Sequence, residues 1–224
     1  PKIRSFDNRD CFEYAGAAGG YIDRLGYPFC RGRIFDTVET DRGQYDDTRE
    51  IFWASGSCIV VRGAAFDQCD GFDDAFFVHM EEIDLCWRMQ NAGYIICYVP
   101  EAVVWHVGGG TLSYDSPTKI YYNYRNSLMM LAKNLPSRHL RRTIFMRQVL
   151  DGLAAVMLLF RSGRAAFAAV VRAHRDFHRA RTSIKTFRAL APHPDMYNSP
   201  HTMMNKSVIF EYYIRGKRNF TDLK

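Results

Sequence analysis

The pattern of apolar and polar positions changes character along the chain. Residues 1–50 carry no long apolar run. Gly16, Gly19, Gly20, Gly26, Gly32 and Gly43 punctuate them, which predicts loops and short strands. Ile51–Arg62 (IFWASGSCIVVR) is dense in apolar residues and reads as a buried strand, with Ser55-Gly56 as a bulge or a point of close backbone approach. Ala64–Cys69 predicts a short helix ending at Gly71. Glu81–Asn91 predicts a second helix, opened by acids that suit its positive N-terminal dipole and closed by Gly93. Tyr94–Val99 and Ala102–Val107 read as strands around Pro100-Glu101, and Gly108-Gly109-Gly110 as a flexible loop. Ser116-Pro117 combines an N-cap residue with proline at the first helical position, predicting a helix that ends before Pro136. Two further helices are expected at 138–161 and 163–189, separated at Ser162-Gly163, and then a tail with aromatics at Phe210, Tyr212 and Tyr213.

Composition supports a folded chain: 47% hydrophobic and 14% aromatic over 224 residues suffice for a substantial core. No signal peptide is visible, since the first apolar stretch is broken by Asp7, Asp10 and Glu13. All six cysteines precede residue 100 and none forms a C-x-x-C pair, which speaks against a zinc ribbon. Cys58, Cys86 and Cys97 lie in apolar runs, where cysteine behaves as a small buried hydrophobe. A reducing, cytosolic compartment is expected.

The net charge of +6 conceals an asymmetry. Between Pro136 and Leu190 twelve Lys/Arg face only Asp151 and Asp176, while the remainder of the chain is net acidic. Ile144, Phe145, Val149, Leu150, Leu153, Val156, Met157 and Phe160 form an apolar stripe in this basic segment. Its longest uncharged run, Gly152–Phe160, is nine residues, against about twenty for a bilayer span, so a span is not expected. Three readings stand. One is an amphipathic helix on an anionic membrane, where each basic residue adds roughly 1 kcal/mol. The others are a helical hairpin packed on the core and a nucleic-acid patch, the last being disfavoured.

The candidate chemistry lies between residues 76 and 126. Glu81, Glu82 and Asp84 crowd three carboxylates into one helical turn, an arrangement costly to hold unless a cation, a proton or a substrate shares the charge. The alternative is a set of ordinary solvated helix-start acids. His106, at a strand end before glycines, suits a divalent metal or a phosphate oxygen; otherwise it is a histidine satisfied by backbone. Tyr122, Arg125 and Asn126 share one helical face, and arginine there can grip phosphate or carboxylate with two parallel hydrogen bonds. The alternative is the polar face of a packing helix.

Taken in order, Trp53-Ala54-Ser55-Gly56, Gly71-Phe72-Asp73-Asp74, Glu81-Glu82-Ile83-Asp84-Leu85-Cys86-Trp87-Arg88, Gly93-Tyr94, Val99-Pro100 and Val104-Trp105-His106 resemble the second half of family 2 glycosyltransferases. These are inverting enzymes of the GT-A fold, and the likeness is to rhamnosyltransferase-like members. It covers about residues 1–134, with 135–190 resembling the membrane-associated tail of such enzymes and 191–224 left as a C-terminal tail. The resemblance implies an α/β chain: a partial GT-A fold with a C-terminal helical extension. It implies Glu82 as catalytic base, flanked by Glu81 and supported by Asp84, with Glu-Glu standing where many relatives have Glu-Asp. It implies His106 as a ligand to Mg or Mn or a diphosphate contact. Trp53, Ser55, Gly56, Tyr122, Arg125 and Asn126 become donor- or acceptor-binding positions. The implied partners are a nucleotide-sugar donor, a lipid-linked or polysaccharide acceptor and an anionic membrane surface, with no nucleic acid, at the inner face of the cell membrane. The family's nucleotide-binding half, with its Asp-x-Asp metal motif, has no counterpart here, which implies a fragment inactive by itself. A non-catalytic membrane- or glycan-binding module that keeps the fold is the alternative.

Overall fold

The structure, a computed structural model, describes residues 1–108, 116–180 and 200–223. They pack as two compact units, the first built from Pro1–Gly71, Leu85–Gly108 and Pro200–Lys224, the second from Phe72–Asp84 and Gly109–Ser199. These units do not follow the sequence boundaries at 134 and 190.

In the first unit, β1 (Lys2–Ser5) pairs in parallel with the last strand before the glycine triplet, β8 (Val103–His106), in the register Lys2↔Val103 to Ser5↔His106. A five-stranded sheet follows the order β5-β4-β3-β2-β9. Its members are β2 (Gly20–Asp23), β3 (Pro28–Cys30), β4 (Arg33–Ile34), β5 (Thr37–Val38) and β9 (Met203–Met204). β6 (Arg49–Glu50) and β7 (Cys97–Tyr98) form a separate antiparallel pair. The tail is therefore an integral strand of this unit. β9 joins β2 in parallel, Val208 N–H donates to Asp23 Oδ2 at 2.9 Å, and Val208, Tyr212 and Leu223 close a core with Phe29 and Ile34.

The strand expected over Ile51–Arg62 is not there. The chain touches β2 through a single bridge, Gly20↔Trp53, and then turns at 55–57. Ile51, Phe52 and Trp53 are buried but Val60 is 94% exposed, so the apolar run is buried only at its start. Helix α1 (Gly63–Gln68) forms as expected, and α2 occupies Glu81–Asn91, closed by Gly93 at φ +90°. Leu85 and Met89 pack on Ala65 and Cys69, and Trp87 meets Phe52 edge-on at 5.2 Å. Of the three cysteines expected to be buried, Cys86 is, Cys58 is half-exposed and Cys97 is exposed.

The second unit is helical. In α3 (Pro117–Asn134) the Ser116 hydroxyl accepts from Lys119 N–H at 3.2 Å, so the predicted cap and proline start both form. Leu135, extended before Pro136, ends the helix. α4 (Ser137–Ser162) and α5 (Arg164–Arg179) meet at Gly163, whose φ of +87° allows the reversal. The remainder of the predicted 163–189 helix beyond residue 180, and Gly109-Gly110 of the glycine triplet, lie outside the described residues. Ile120 of α3, Ala155 of α4 and Ala166, Ala169 and Val170 of α5 form the core, small residues that let the three helices approach.

α4 carries its polarity inverted. Thr143, Arg147, Asp151 and Ala155 are its buried positions, while Phe145, Val149, Leu153, Val156, Met157 and Phe160 are exposed. Arg147 Nε lies 3.3 Å from Asp151 Oδ1, one turn apart, and His174 Nε2 lies 3.2 Å from Asp151 Oδ2. By length and composition α4 is able to cross a membrane. The expectation that it could not rested on the nine-residue length of the uncharged run Gly152–Phe160. Beyond that run Arg147 and Asp151 pair on the buried face, which leaves the opposite face apolar from Phe145 to Phe160.

Candidate active site

The acidic turn of α2 is presented by an unusual strap, residues 73–80, held against α3. Phe77, His79 and Met80 all take left-handed backbone conformations, with φ of 60°, 66° and 72°. Side chains other than glycine visit this region at a cost of order 1–3 kcal/mol each unless the surroundings impose it. Here the imposing group is Asn126. Its Nδ2 lies 2.8, 2.7 and 2.8 Å from the carbonyl oxygens of Phe76, Val78 and His79. Arg125 Nε donates to Asn126 Oδ1 at 2.8 Å, which fixes the amide with its nitrogen toward the strap. Arg125 Nη2 donates to Ala75 O at 2.6 Å, and its guanidinium lies over Tyr122, which stacks on Phe77 at 5.5 Å. Tyr122, Arg125 and Asn126 do act as one face, as their spacing predicts. That face grips backbone of the same chain, which is how the structure places three residues expected to bind diphosphate or acceptor.

Asp84, expected to support the base, is wholly buried. Its oxygens accept from Lys133 Nζ and Asn134 Nδ2, both at 2.8 Å, and Lys133 also reaches Asp73 Oδ2 at 2.7 Å. It anchors the start of α2 to the end of α3. Lys133 and Asn134 escaped the sequence reading, although with Asn126 they fall at i, i+7 and i+8 of α3, one stripe of polar residues in an otherwise apolar stretch.

That anchoring leaves Glu81 and Glu82 as the carboxylates with unused capacity. Glu81 Oε2 and Glu82 Oε2 are both shut off from solvent without a hydrogen-bond partner. Burial, and then the neighbouring charge of Glu81, push Glu82 up to about 7. Glu81 is also raised, by burial. His79, absent from the sequence reading, has its Nε2 buried without a partner and is held below its ordinary value by burial and by Lys119. A carboxylate titrating near 7 is poised to take a proton at neutral pH, which a carboxylate at its usual value does far less well.

The remaining predicted positions belong to the first unit. His106 Nδ1 lies 3.3 Å from Glu13 Oε2, and Glu13 is itself buried and also accepts from Ala15 N–H. Trp53 is packed, its ring filling the space over Gly20 and its Nε1 donating to Tyr21 O at 2.9 Å. Ser55 is buried against Gly16, where an added Cβ would approach Ser55 Cβ to 2.6 Å, and its hydroxyl caps the turn through Ser57 N–H at 3.2 Å. Gly56 faces open space. A divalent cation at His106 would find one further oxygen donor, Glu13. Among the described residues no group of three His, Cys, Asp or Glu side chains converges. These residues do not fit a cation held by this chain alone.

Comparison with known proteins gives the chemistry a context. An N-acetylglucosaminyl-diphospho-decaprenol L-rhamnosyltransferase of Mycobacterium tuberculosis is 37% identical over 114 residues, 51% of this chain and 37% of that protein. Rhamnosyltransferase WbbL of Escherichia coli K12 is 43% identical over 56 residues, 25% of this chain and 21% of that protein. The relatives are glycosyltransferases. The dTDP-rhamnosyl transferase RfbF of Shigella flexneri is more distant, 22% identical over 144 residues, 59% of this chain and 47% of that protein. The chain spans less than half the length of these curated relatives. No family model matches it, and no solved structure does. The mixed α/β architecture is compatible with a glycosyltransferase fold.

Proposed function

We propose that this chain is the acceptor and catalytic-base portion of an inverting, family 2 glycosyltransferase of the GT-A fold. The enzyme would move a sugar from a nucleoside-diphosphate donor to a lipid-linked or polysaccharide acceptor during cell-surface glycan synthesis, at the cytoplasmic face of the membrane. The observation that carries this reading is Glu82: a half-buried residue whose carboxyl is lifted to about 7, with Oε2 shut from solvent and without a hydrogen-bond partner, on a turn made rigid by Asn126 and Asp84. The rhamnosyltransferase names of the relatives support it and make a nucleotide-activated rhamnose the first donor to try.

In this mechanism Glu82 accepts the proton of an acceptor hydroxyl as its oxygen bonds to the anomeric carbon. The bond from that carbon to the diphosphate breaks on the opposite side, and the diphosphate leaves with the electron pair, so configuration inverts. Glu81 keeps Glu82 basic by its charge, and the buried Asp84–Lys133 pair holds the helix start in register. No step is assigned to a metal ion, since the described residues do not complete a site for one.

The test is nucleoside diphosphate release by the full-length protein across a panel of nucleotide sugars with membrane extract as acceptor, beside Glu82→Gln. Donor-specific release that the substitution abolishes, with donor binding kept, is the expected result. Equal release by both proteins contradicts the assignment.

A further inference from the structure

We propose that the outer face of α4 is a monotopic membrane-insertion surface, the helix lying in the plane of an anionic leaflet with Phe145, Val149, Leu153, Val156, Met157 and Phe160 in the acyl layer. This deepens the glycosyl-transfer reading by naming how its membrane partner is met, but it stands on a separate observation, the inverted polarity of α4. A water-facing helix turns its charges outward. α4 does the reverse. Its exposed face is apolar, with Leu153 61%, Met157 68% and Phe160 85% exposed, while Arg147 and Asp151 pair inside the helical hairpin with His174. The stripe from Phe145 to Phe160 runs about 22 Å, long enough for a broad lipid contact.

The charge around the stripe selects the occupant. Arg138, Arg141 and Arg142 are exposed at one end and Arg161 and Arg164 at the other. Arg172, Arg175 and Arg179 are exposed on α5, the helix packed along α4. With the stripe in the acyl layer, the arginines at its two ends would meet the headgroups, where anionic lipid attracts them, and those of α5 would add to the positive field from the far side of α4. A second copy of the chain would present the same arginines to one another and be repelled. A full crossing by α4 would drag the packed, arginine-bearing α5 and the Arg147–Asp151 pair into hydrocarbon, where ionisable groups are expensive. In-plane insertion meets neither penalty.

The experiment is co-sedimentation of the full-length protein with phosphatidylcholine vesicles containing or lacking phosphatidylglycerol, with neither donor nor acceptor present. The comparison variant is F145S/L153S/F160S, all surface positions, checked by circular dichroism for unchanged helix content. The expected result is binding that needs phosphatidylglycerol, and a partition coefficient lower in the variant by on the order of a hundredfold. Substituting Arg138, Arg141 and Arg142 by Gln should reduce the preference for anionic lipid and leave residual binding. Equal binding by wild type and triple variant overturns the proposal. So does a self-association in sedimentation velocity that the triple variant abolishes without changing vesicle binding, which assigns the face to a second copy. Retention in alkaline carbonate-washed vesicles overturns the in-plane mode in favour of a span. Because the assay reads lipid alone, its failure leaves the assignment of Glu82 untouched, and a failed nucleotide-release assay leaves this surface untouched.

Discussion

Two helices of the second unit break the usual rule of apolar inside and polar outside, in opposite senses. α3 buries Asn126, Lys133 and Asn134, and α4 exposes Phe145, Leu153 and Phe160. In α3 the three buried amide and ammonium groups have specific partners: three strap carbonyls for Asn126, and the Asp84 carboxylate for Lys133 and Asn134. In α4 the exposed apolar face has no partner among the described residues. Buried polar groups paired in this way form a scaffold, and here they fix the turn that carries Glu82. Exposed apolarity ringed by arginine is a surface awaiting a different solvent. Two departures from the same rule thus point to two roles, one internal to the chemistry and one external to the protein.

Substitutions can break or sharpen that contrast. The largest effect is expected for Lys133→Met, which leaves the Asp84 carboxylate buried without its cation. A loss of about 3–5 kcal/mol in denaturant unfolding follows. Asn126→Ala comes next. It strips partners from three strap carbonyls and should lose about 1–3 kcal/mol, with a fall in turnover larger than any change in donor affinity, because the strap and not the donor contact is disturbed. Met80→Gly has the opposite sign. The left-handed backbone at Met80 favours glycine, so the variant should gain up to about 1 kcal/mol, read as a higher Tm. Smallest is Leu153→Ser on α4, whose stability in vesicle-free solution should change by no more than about 0.5 kcal/mol. A large loss there would mean that the face is covered within the protein, and the contrast between the helices would fail.

Much of this was legible in the chain. The bounds of α2 followed from its acidic start and Gly93, and those of α3 from Ser116-Pro117 and Pro136, because caps and prolines act locally. The crowding of Glu81, Glu82 and Asp84 marked the turn that forms the candidate site. What escaped was non-local. The tail strand Met203–Met204 pairs with β2 across some 180 residues, and nothing in its own sequence announces the partner. The run 51–62 was apolar enough for a strand, but it docks at one bridge and turns, so Val60 points to solvent. Asp84 and Glu82 are two residues apart, yet one meets Lys133 and the other meets no donor through Oε2; only the facing helix distinguishes them. On α4 the apolar stripe was visible, but which face meets the protein depends on α5.

Glu82 also links stability to activity. Its carboxyl is raised to about 7 in the folded chain and returns to an ordinary value on unfolding, so its ionisation is disfavoured by the fold. Stability from this group is present below the unfolded value and is lost as pH rises toward 7, over the window in which the proposed base loses its proton. The most direct measurement is the pH dependence of kcat for the full-length protein with its donor and acceptor, wild type beside Glu82→Gln. The account predicts a wild-type rate that climbs through an ascending limb near pH 7, and a residual variant rate without that limb. An unchanged limb in Glu82→Gln, or a wild-type rate already at its plateau by pH 5.5, would contradict Glu82 as the base.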